Sequence, residues 1–336
     1  MALQKFPGLI DIHVHLRDPG ATHKEDFASG ARAALAGGFT YVCDMPNNYA
    51  QPTFSAERLE EKIRLSEEKS IIDIGFHFGT VGKNLDQFAF AIHNPHVFGL
   101  KIYCGETTGD LIISDSKILD TIFAAWNSDK PILVHADGAL LQLTIGLAKT
   151  YQRRLHVCHV IPSDLPLIRK AKENNLPVTA GVTPHHLYLS DGLVKPPLVD
   201  EAGQIELWKG IASGVIDIVE SDHAPHTREE KESDMRHFGV PGLETTLGLL
   251  LLGVKKEKLS IENVINLLYA NPKRIFSIPD QSDTFIELDP EKPFTVGSQG
   301  YQTKCQWSPF DGYELFGHVK RVVLYGRSLV ENGKIV

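Results

Sequence analysis

Between Gly8 and Ser221 the chain repeats one texture: a short apolar run rich in β-branched residues, then an amphipathic stretch. The apolar runs lie near Gly8–Leu16, Phe39–Met45, Ile71–Gly79, Val97–Tyr103, Pro131–Ala136, Leu155–Val160, Pro177–Thr183 and Ile216–Ser221. Most are continuous rather than alternating, as expected for parallel strands covered on both faces. Helix patterns fill the gaps. Glu25–Leu35 ends at Gly37-Gly38; Ser55–Lys69 carries Glu and Lys or Arg three and four apart; Ser114–Trp126 opens on Ser114 as its expected N-cap; Ser163–Asn174 follows the sixth run. Such alternation predicts an α/β fold, a (β/α)8 TIM-like barrel, with a doubly wound open sheet as the alternative because strand order cannot be read from alternation. After Pro279 the helix patterns stop. Short strand-like runs at Phe285–Leu288, Phe294–Val296, Val319–Tyr325 and Ser328–Glu331 are punctuated by Gly317, Gly326 and Asn332-Gly333. The expected division is a barrel over residues 1–279 and a small C-terminal β appendage over 280–336.

Composition removes several function classes. Lys plus Arg total 34 against 42 Asp plus Glu, a net charge of −8 with no basic block, which argues against nucleic acid as the main partner. The longest apolar run, Leu247–Val254, is too short to cross a bilayer and is interrupted by Gly248 and Gly253. The segment Met1–Pro7 lacks the apolar region of a signal peptide. The four cysteines, Cys43, Cys104, Cys158 and Cys305, are scattered, so neither a disulfide framework nor a thiolate zinc site is expected. A reducing cytoplasm is the expected setting.

The 15 histidines carry the chemistry through their placement. The first run ends in Asp11-Ile12-His13-Val14-His15-Leu16-Arg17, and residues two apart on a strand share a face, which suits two imidazoles on one metal. The fifth run ends in His135-Ala136-Asp137, the sixth in His156-Val157-Cys158-His159, and the eighth in Ser221-Asp222-His223-Ala224-Pro225-His226. Lys101 sits inside the fourth apolar run, where a lone ammonium is costly unless paired or chemically altered. In a barrel these strand ends meet at one mouth. Imidazole and carboxylate donors without thiolate pairs suit a hydrolytic Zn²⁺ centre, with Mn²⁺ or Fe²⁺ as alternatives. A solitary HxH is weak evidence of a metal, since packed and hydrogen-bonded histidines are common; the joint pattern is far more specific. On strand alternation Cys158 points away from His159 and is expected to fill core. His185-His186 are expected to face opposite sides of a strand and to be structural.

These residues resemble a known family. Pro7-Gly-Leu-Ile-Asp-Ile-His-Val-His-Leu-Arg-Asp-Pro-Gly20 is similar to the opening signature of the dihydroorotases of the amidohydrolase superfamily. Asp44-Met-Pro-Asn-Asn48, Thr183-Pro-His-His-Leu187 and Ser221-Asp-His-Ala-Pro-His226 resemble further motifs of that family. The resemblance runs from Pro7 to the C-terminus. It is particularly strong to the dihydroorotase domain of the animal multifunctional pyrimidine enzyme, at Thr22–Gly30 and Asn271–Phe276.

The resemblance implies two Zn²⁺ ions, one on His13 and His15 and one on His135 and His159, bridged by a carboxylated Lys101. Asp222 would bind the first ion and shuttle protons. Arg17, Asn47 and His226 would hold the substrate carboxylate, and Lys195 stands where relatives contact substrate with Arg or Asn. The implied reaction is the reversible cyclisation of N-carbamoyl-L-aspartate to L-dihydroorotate, with a binuclear metal hydroxide attacking the ring carbonyl in the hydrolytic direction. A homodimer and an aspartate transcarbamoylase partner are expected from the family. The rivals are another cyclic amidase, of allantoinase or dihydropyrimidinase type, and a non-catalytic dihydroorotase-like scaffold. Two departures stand out. Only Met1–Phe6 precede Pro7, so the appendage is expected to be built mainly by the tail. The animal domain has an acidic residue in its seventh strand that helps hold an additional metal; here that position is Gly181, so no third metal is expected. Thr107-Thr108 align with a loop that bears Thr-Phe in the animal enzyme, and a lid and an ordinary loop are equally open there.

Overall fold

The computed structural model describes residues 3–105, 111–235 and 237–336. Eight parallel strands pair in sequence order: Leu9–Val14, Phe39–Asp44, Asp73–Gly79, Val97–Tyr103, Ile132–His135, Leu155–Val157, Val178–Val182 and Ile218–Val219. The ring closes where a parallel bridge joins Val14 to His223 and the His15 N–H donates to the His223 carbonyl at 2.8 Å. Sequential pairing with closure is a barrel and excludes the doubly wound sheet.

Two buried clusters explain why this sequence closes. Ile10, Cys43, Phe98, Leu133, Cys158 and Ile218 pack together although they come from strands all around the ring, and only a barrel lumen allows that. Ile275 and Phe276 join them, and the Phe276 ring packs edge-on against His77 and His156 at 5.8 and 5.2 Å between centroids. The larger cluster lies between strands and outer helices, with Phe27, Leu35, Leu59, Phe123, Trp126, Leu147 and Ile168 among its members.

The helices begin where local chemistry dictates. Phe27–Ala36 is opened by a capping box between Asp26 and Ser29, and Ala56–Lys69 by Ser55. The helix expected to open on Ser114 spans Ser116–Ala125 and is capped instead by Asp115, which accepts the N–H groups of Lys117 and Ile118. A carboxylate one residue closer satisfies two end donors at once. His185 and His186 lie not on a strand but on a short helix, Pro184–Tyr188, opened by Thr183. His186 is pinned there between the Thr183 hydroxyl (2.6 Å) and the Pro196 carbonyl (3.0 Å).

The tail forms most of a five-stranded antiparallel sheet, in the order Gln4–Pro7, Phe285–Leu288, Val319–Leu324, Arg327–Glu331, Lys334–Ile335. The N-terminal strand therefore belongs to this sheet, pairing Gln4–Pro7 with Phe285–Leu288. A two-stranded ribbon, Pro293–Thr295 with Glu314–Phe316, accompanies it. From the tail, residues 302–308 return to the barrel mouth. There Thr303 and Lys304 engage the Glu25 carboxylate, and the Trp307 indole donates to the His226 carbonyl at 2.8 Å.

Candidate active site

The strand ends converge on a cleft of roughly 440 Å³, lined by His13, His15, Arg17, Asn47, Tyr103, His135, His159, Lys195 and Asp222, with Ala224, Phe238 and Gly239. His13 and Asp222 lie 3.4 Å apart (Nε2 to Oδ1), and His15 Nε2 lies 3.0 Å from the same Asp222 oxygen. The other ring nitrogen of His15 meets the Asn47 side-chain oxygen at 2.7 Å, which directs the Nε2 edge toward Asp222. His135 and His159 touch each other at 3.0 Å (Nδ1 to Nε2), and the rings of His13 and His159 stand 5.3 Å apart. Asn47 is held in turn by a buried anchor: Lys62 pairs with Asp44 at 2.7 Å and donates to Met45 O and Asn48 Oδ1 on either side of it.

Three site residues leave ordinary strand geometry. Arg17, His159 and Asp222 have φ of 61, 36 and 45°, in the left-handed region that non-glycine residues visit rarely and at some cost. Alternation carries on through the end of the sixth strand: Val157 packs outside the barrel and Cys158 fills the lumen core as expected, while His159, with its left-handed backbone, leaves the pattern. In that core the Cys158 Sγ receives the Lys101 ammonium at 3.1 Å and lies with donor atoms of His13 and Glu220 within 4.8 Å of one another.

The electrostatics suit cations. Burial is the main force holding His15 down to about 4 and His135 to about 3, with the charge of Lys101 adding to it at His135. Burial, then His135 and Lys101, hold His159 well below its ordinary value. These are neutral imidazoles with lone pairs to give. At His13, burial and Lys101 oppose charge, but Glu220 and Asp222 outweigh them and push it up to about 10. Burial would raise the Asp222 carboxyl, yet His13 and His15 hold it well below the carboxylate range. Donor atoms of His13, His159 and Asp222 fall within 4.8 Å of one another, and among the described residues the buried Nδ1 atoms on His13 and His159 lack a hydrogen-bond partner. Lys101 is fully buried, and among the described residues no carboxylate pairs with it. A buried ammonium whose hydrogen-bond partner is the Cys158 sulfur rather than a carboxylate fits carboxylation on Nζ, and the whole donor set fits a pair of divalent cations.

On the other side of the cleft Arg17 is buried, its Nε donating to the Pro225 carbonyl at 3.3 Å. His226 does not line the cleft. It sits fully buried behind Arg17, 3.2 Å from Nη2. Lys24, which the sequence did not single out, donates to His226 Nδ1 at 3.1 Å. An ammonium has only protons to give, so Nδ1 is the acceptor and Nε2 keeps its proton, directed at the Phe238 carbonyl at 3.0 Å. Lys195 is half-buried, its Nζ 4.9 Å from the Phe238 ring. Tyr103 was also missed; its buried hydroxyl at the cleft has no partner among the described residues. Thr107-Thr108 lie outside the described residues.

Gly181 faces Glu220, another residue the motifs did not reveal. A Cβ at Gly181 would stand 2.7–2.9 Å from the Glu220 carboxyl atoms. The absence of an acid in the seventh strand thus does not leave the spot without a carboxylate, because the neighbouring strand supplies one.

The amidohydrolase family model matches residues 5–285. The chain belongs to the amidohydrolase family. Within it, the chain is 33% identical to the dihydroorotase of Pyrococcus horikoshii over 98% of this chain and 82% of that protein. It is 39% identical to multifunctional protein CAD of Squalus acanthias over 99% of this chain, and spans only 15% of that much longer protein. In fold it matches the L-hydantoinase (dihydropyrimidinase) from Arthrobacter aurescens with a TM-score of 0.91 at 24% identity, covering 99% of this chain and 87% of that one. It also matches the inactive dihydroorotase-like domain of a Chaetomium thermophilum CAD-like multifunctional protein, with a TM-score of 0.85 at 25% identity over 100% and 97%.

Proposed function

We propose that this chain is a zinc-dependent dihydroorotase, interconverting N-carbamoyl-L-aspartate and L-dihydroorotate in pyrimidine synthesis. The observation that carries the reading is one cleft lined by His13, His15, His135, His159, Asp222 and a buried arginine, with Lys101 fully buried on the fourth barrel strand. His13 and His15 would hold one Zn²⁺, His135 and His159 a second, with carboxylated Lys101 between them and Asp222 on the first. Such ions, when bound, lower the pKa of water and polarise a carbonyl. Carboxylation turns the buried Lys101 cation into an anion and removes the cost of its unpaired charge.

Asp222 faces both His13 and His15 with its carboxylate held ionised, so in hydrolysis it takes the proton of the attacking water and hands it to the leaving ring nitrogen. Cyclisation runs these transfers backward. Arg17 offers a charged fork to the substrate carboxylate. The His226 Nε2–H donates to the Phe238 carbonyl, so it does not consume the terminal N–H groups of Arg17 and backs the fork from behind. Asn47 and Lys195 reach the same cleft and complete the contacts to substrate.

Arg17 and Asn47 separate this reading from the allantoinase or dihydropyrimidinase type, because simple dihydropyrimidines have no carboxylate for them. The intact donor set counts against a silent scaffold like the inactive Chaetomium domain. The homodimer, the aspartate transcarbamoylase partner and the cytoplasmic setting remain part of the proposal. Two observations bear on them: the chain aligns with a segment of multifunctional proteins, and among the described residues no helix is long and apolar enough to cross a membrane.

The test is a steady-state assay of zinc-supplied protein in bicarbonate with both substrates, one per direction. Turnover of both supports the reading. Two bound metals with no turnover of either would move the function to another cyclic amide or to a scaffold.

A further inference from the structure

Glu220 is fully buried just past the eighth barrel strand. Removing a carboxylate from water costs several kcal/mol unless its neighbours compensate. Its neighbours here are three histidines and the Cys158 thiol, whose Sγ lies within 4.8 Å of it. Oε1 accepts the backbone N–H of His159 at 2.5 Å and lies 3.4 Å from His13 Nδ1, while Oε2 lies 3.4 Å from His156 Nε2. His159 is the residue with φ of 36°, so Glu220 braces the strained backbone that aims this ring. His13 turns its Nε2 toward Asp222, and among the described residues its Nδ1 has no other hydrogen-bond partner. One carboxylate thus stands behind one histidine from each proposed metal.

The room for it comes from Gly181, paired with Ile218 on the adjacent strands. Any side chain at Gly181 would start 2.7–2.9 Å from the Glu220 carboxyl. That distance is below ordinary contact, so the two positions cannot both carry side chains without displacement.

We propose that Glu220 is a positioning residue for the metal centre, and that Gly181 is a glycine because Glu220 occupies its side-chain space. Glu220 sets the outer edge of His13 and the backbone of His159, and through them the two metal-facing imidazoles. The inference rests on the proposed metal centre. Partners behind metal-bound histidines commonly change metal affinity 10- to 100-fold when removed.

The test compares wild type, Glu220→Gln, Glu220→Ala, Gly181→Glu and the exchange variant Gly181→Glu/Glu220→Ala. Metal per chain is counted after loading with Zn²⁺, affinity is read by competition with a chromogenic chelator, and Co²⁺-loaded protein is followed by its visible spectrum. Glu220→Gln keeps the size and an acceptor for the His159 N–H, so it remains informative if Glu220→Ala does not fold. The expected result is two metals in wild type and an affinity loss of about 10- to 100-fold in Glu220→Ala. The loss should be smaller in Glu220→Gln, with a shifted Co²⁺ spectrum in both. Gly181→Glu alone should lower the melting temperature of the metal-free protein, and the exchange variant should recover both melting temperature and affinity. Unchanged affinity and spectrum in folded Glu220→Gln and Glu220→Ala overturn the proposal while leaving the metal centre intact. Three metals in wild type and two in Glu220→Ala overturn it differently, by making Glu220 a ligand. A wild type that binds no metal removes the metal centre and the proposal together.

Discussion

The two walls of the cleft are made differently. On the histidine wall His13, Lys101 and His135 lie inside barrel strands, and His15, His159 and Asp222 come within three residues of a strand's end. Ladder hydrogen bonds fix the backbones of the first three, while the His159 N–H is held by the Glu220 side chain and the His15 ring by Asn47. On the arginine wall none of the four lies inside a strand: Arg17 and Asn47 come three residues past a strand's end, and Lys195 and His226 sit further out on loops. They are held by side chains and carbonyls from elsewhere: Lys62 under Asn47, Pro225 and His226 around Arg17, Lys24 and Trp307 on His226. The scaffold itself builds the half assigned to bond making, and its connections build the half assigned to recognition. That division predicts separable failures, kcat and metal on one wall and KM on the other.

The largest effect should come from Asp222→Asn. The amide keeps the shape and cannot carry the proton, so kcat should fall by about 10²- to 10⁴-fold. Zinc content should stay close to that of wild type, as most donors remain. A kcat within a few-fold of wild type would sink the proton-transfer role. Arg17→Met comes next. A charge-assisted hydrogen bond contributes about 1.5–3 kcal/mol, so KM for L-dihydroorotate should rise about 10- to 150-fold with zinc per chain unchanged. Parallel loss of zinc and activity in this variant would erase the distinction between the walls.

The same division explains how much is legible without coordinates. The role proposed for Lys101 rests on the family resemblance, while the eight strand positions are readable from apolar runs, and the residues that end them mark His13, His15, His135 and His159 as candidate donors. There, periodicity and chemistry point to the same residues. His159 reaches the cleft against strand alternation, because the backbone turns left-handed there, two residues past the end of its strand. Glu220 escapes because the space at Gly181 is shared across two strands, and no single-strand pattern shows that. Lys24 and Trp307 escape for a related reason: each reaches His226 from a distant part of the chain. Loop contacts of that kind carry no period in the sequence.

Lys24→Met should give a smaller effect, since Lys24 acts on the anion wall through His226. A net hydrogen bond contributes about 0.5–1.5 kcal/mol, so KM should rise about 2- to 12-fold with kcat and zinc unchanged. Nitrogen NMR of His226 supplies a second readout, because Nδ1 loses its donor and the tautomer is no longer enforced. A His226 spectrum identical to that of wild type would show that Lys24 does not set the proton's position.

The smallest effect concerns how the returning tail is tied to the barrel. Glu244 accepts the backbone N–H groups of Gln302 (3.0 and 3.1 Å) and Thr303 (2.9 Å) beside the cleft loops. Burial pushes its carboxyl up to about 7, and those two donors recover only part of the shift. A carboxyl raised on folding binds its proton more tightly in the native state than in the unfolded chain. Its contribution is therefore present below the ordinary value of 4.5 and is lost as pH rises toward about 7. Glu244→Gln retains an acceptor for the tail and cannot ionise. Its melting temperature should fall less than that of wild type between these two pH values, and the curves should run parallel above the window. Equal slopes in both proteins would mean that Glu244 titrates like a solvated carboxylate and that the tail's attachment is insensitive to its charge. A shallower slope accompanied by an unchanged KM would place the attachment on the stability side and leave recognition to Arg17 and its neighbours.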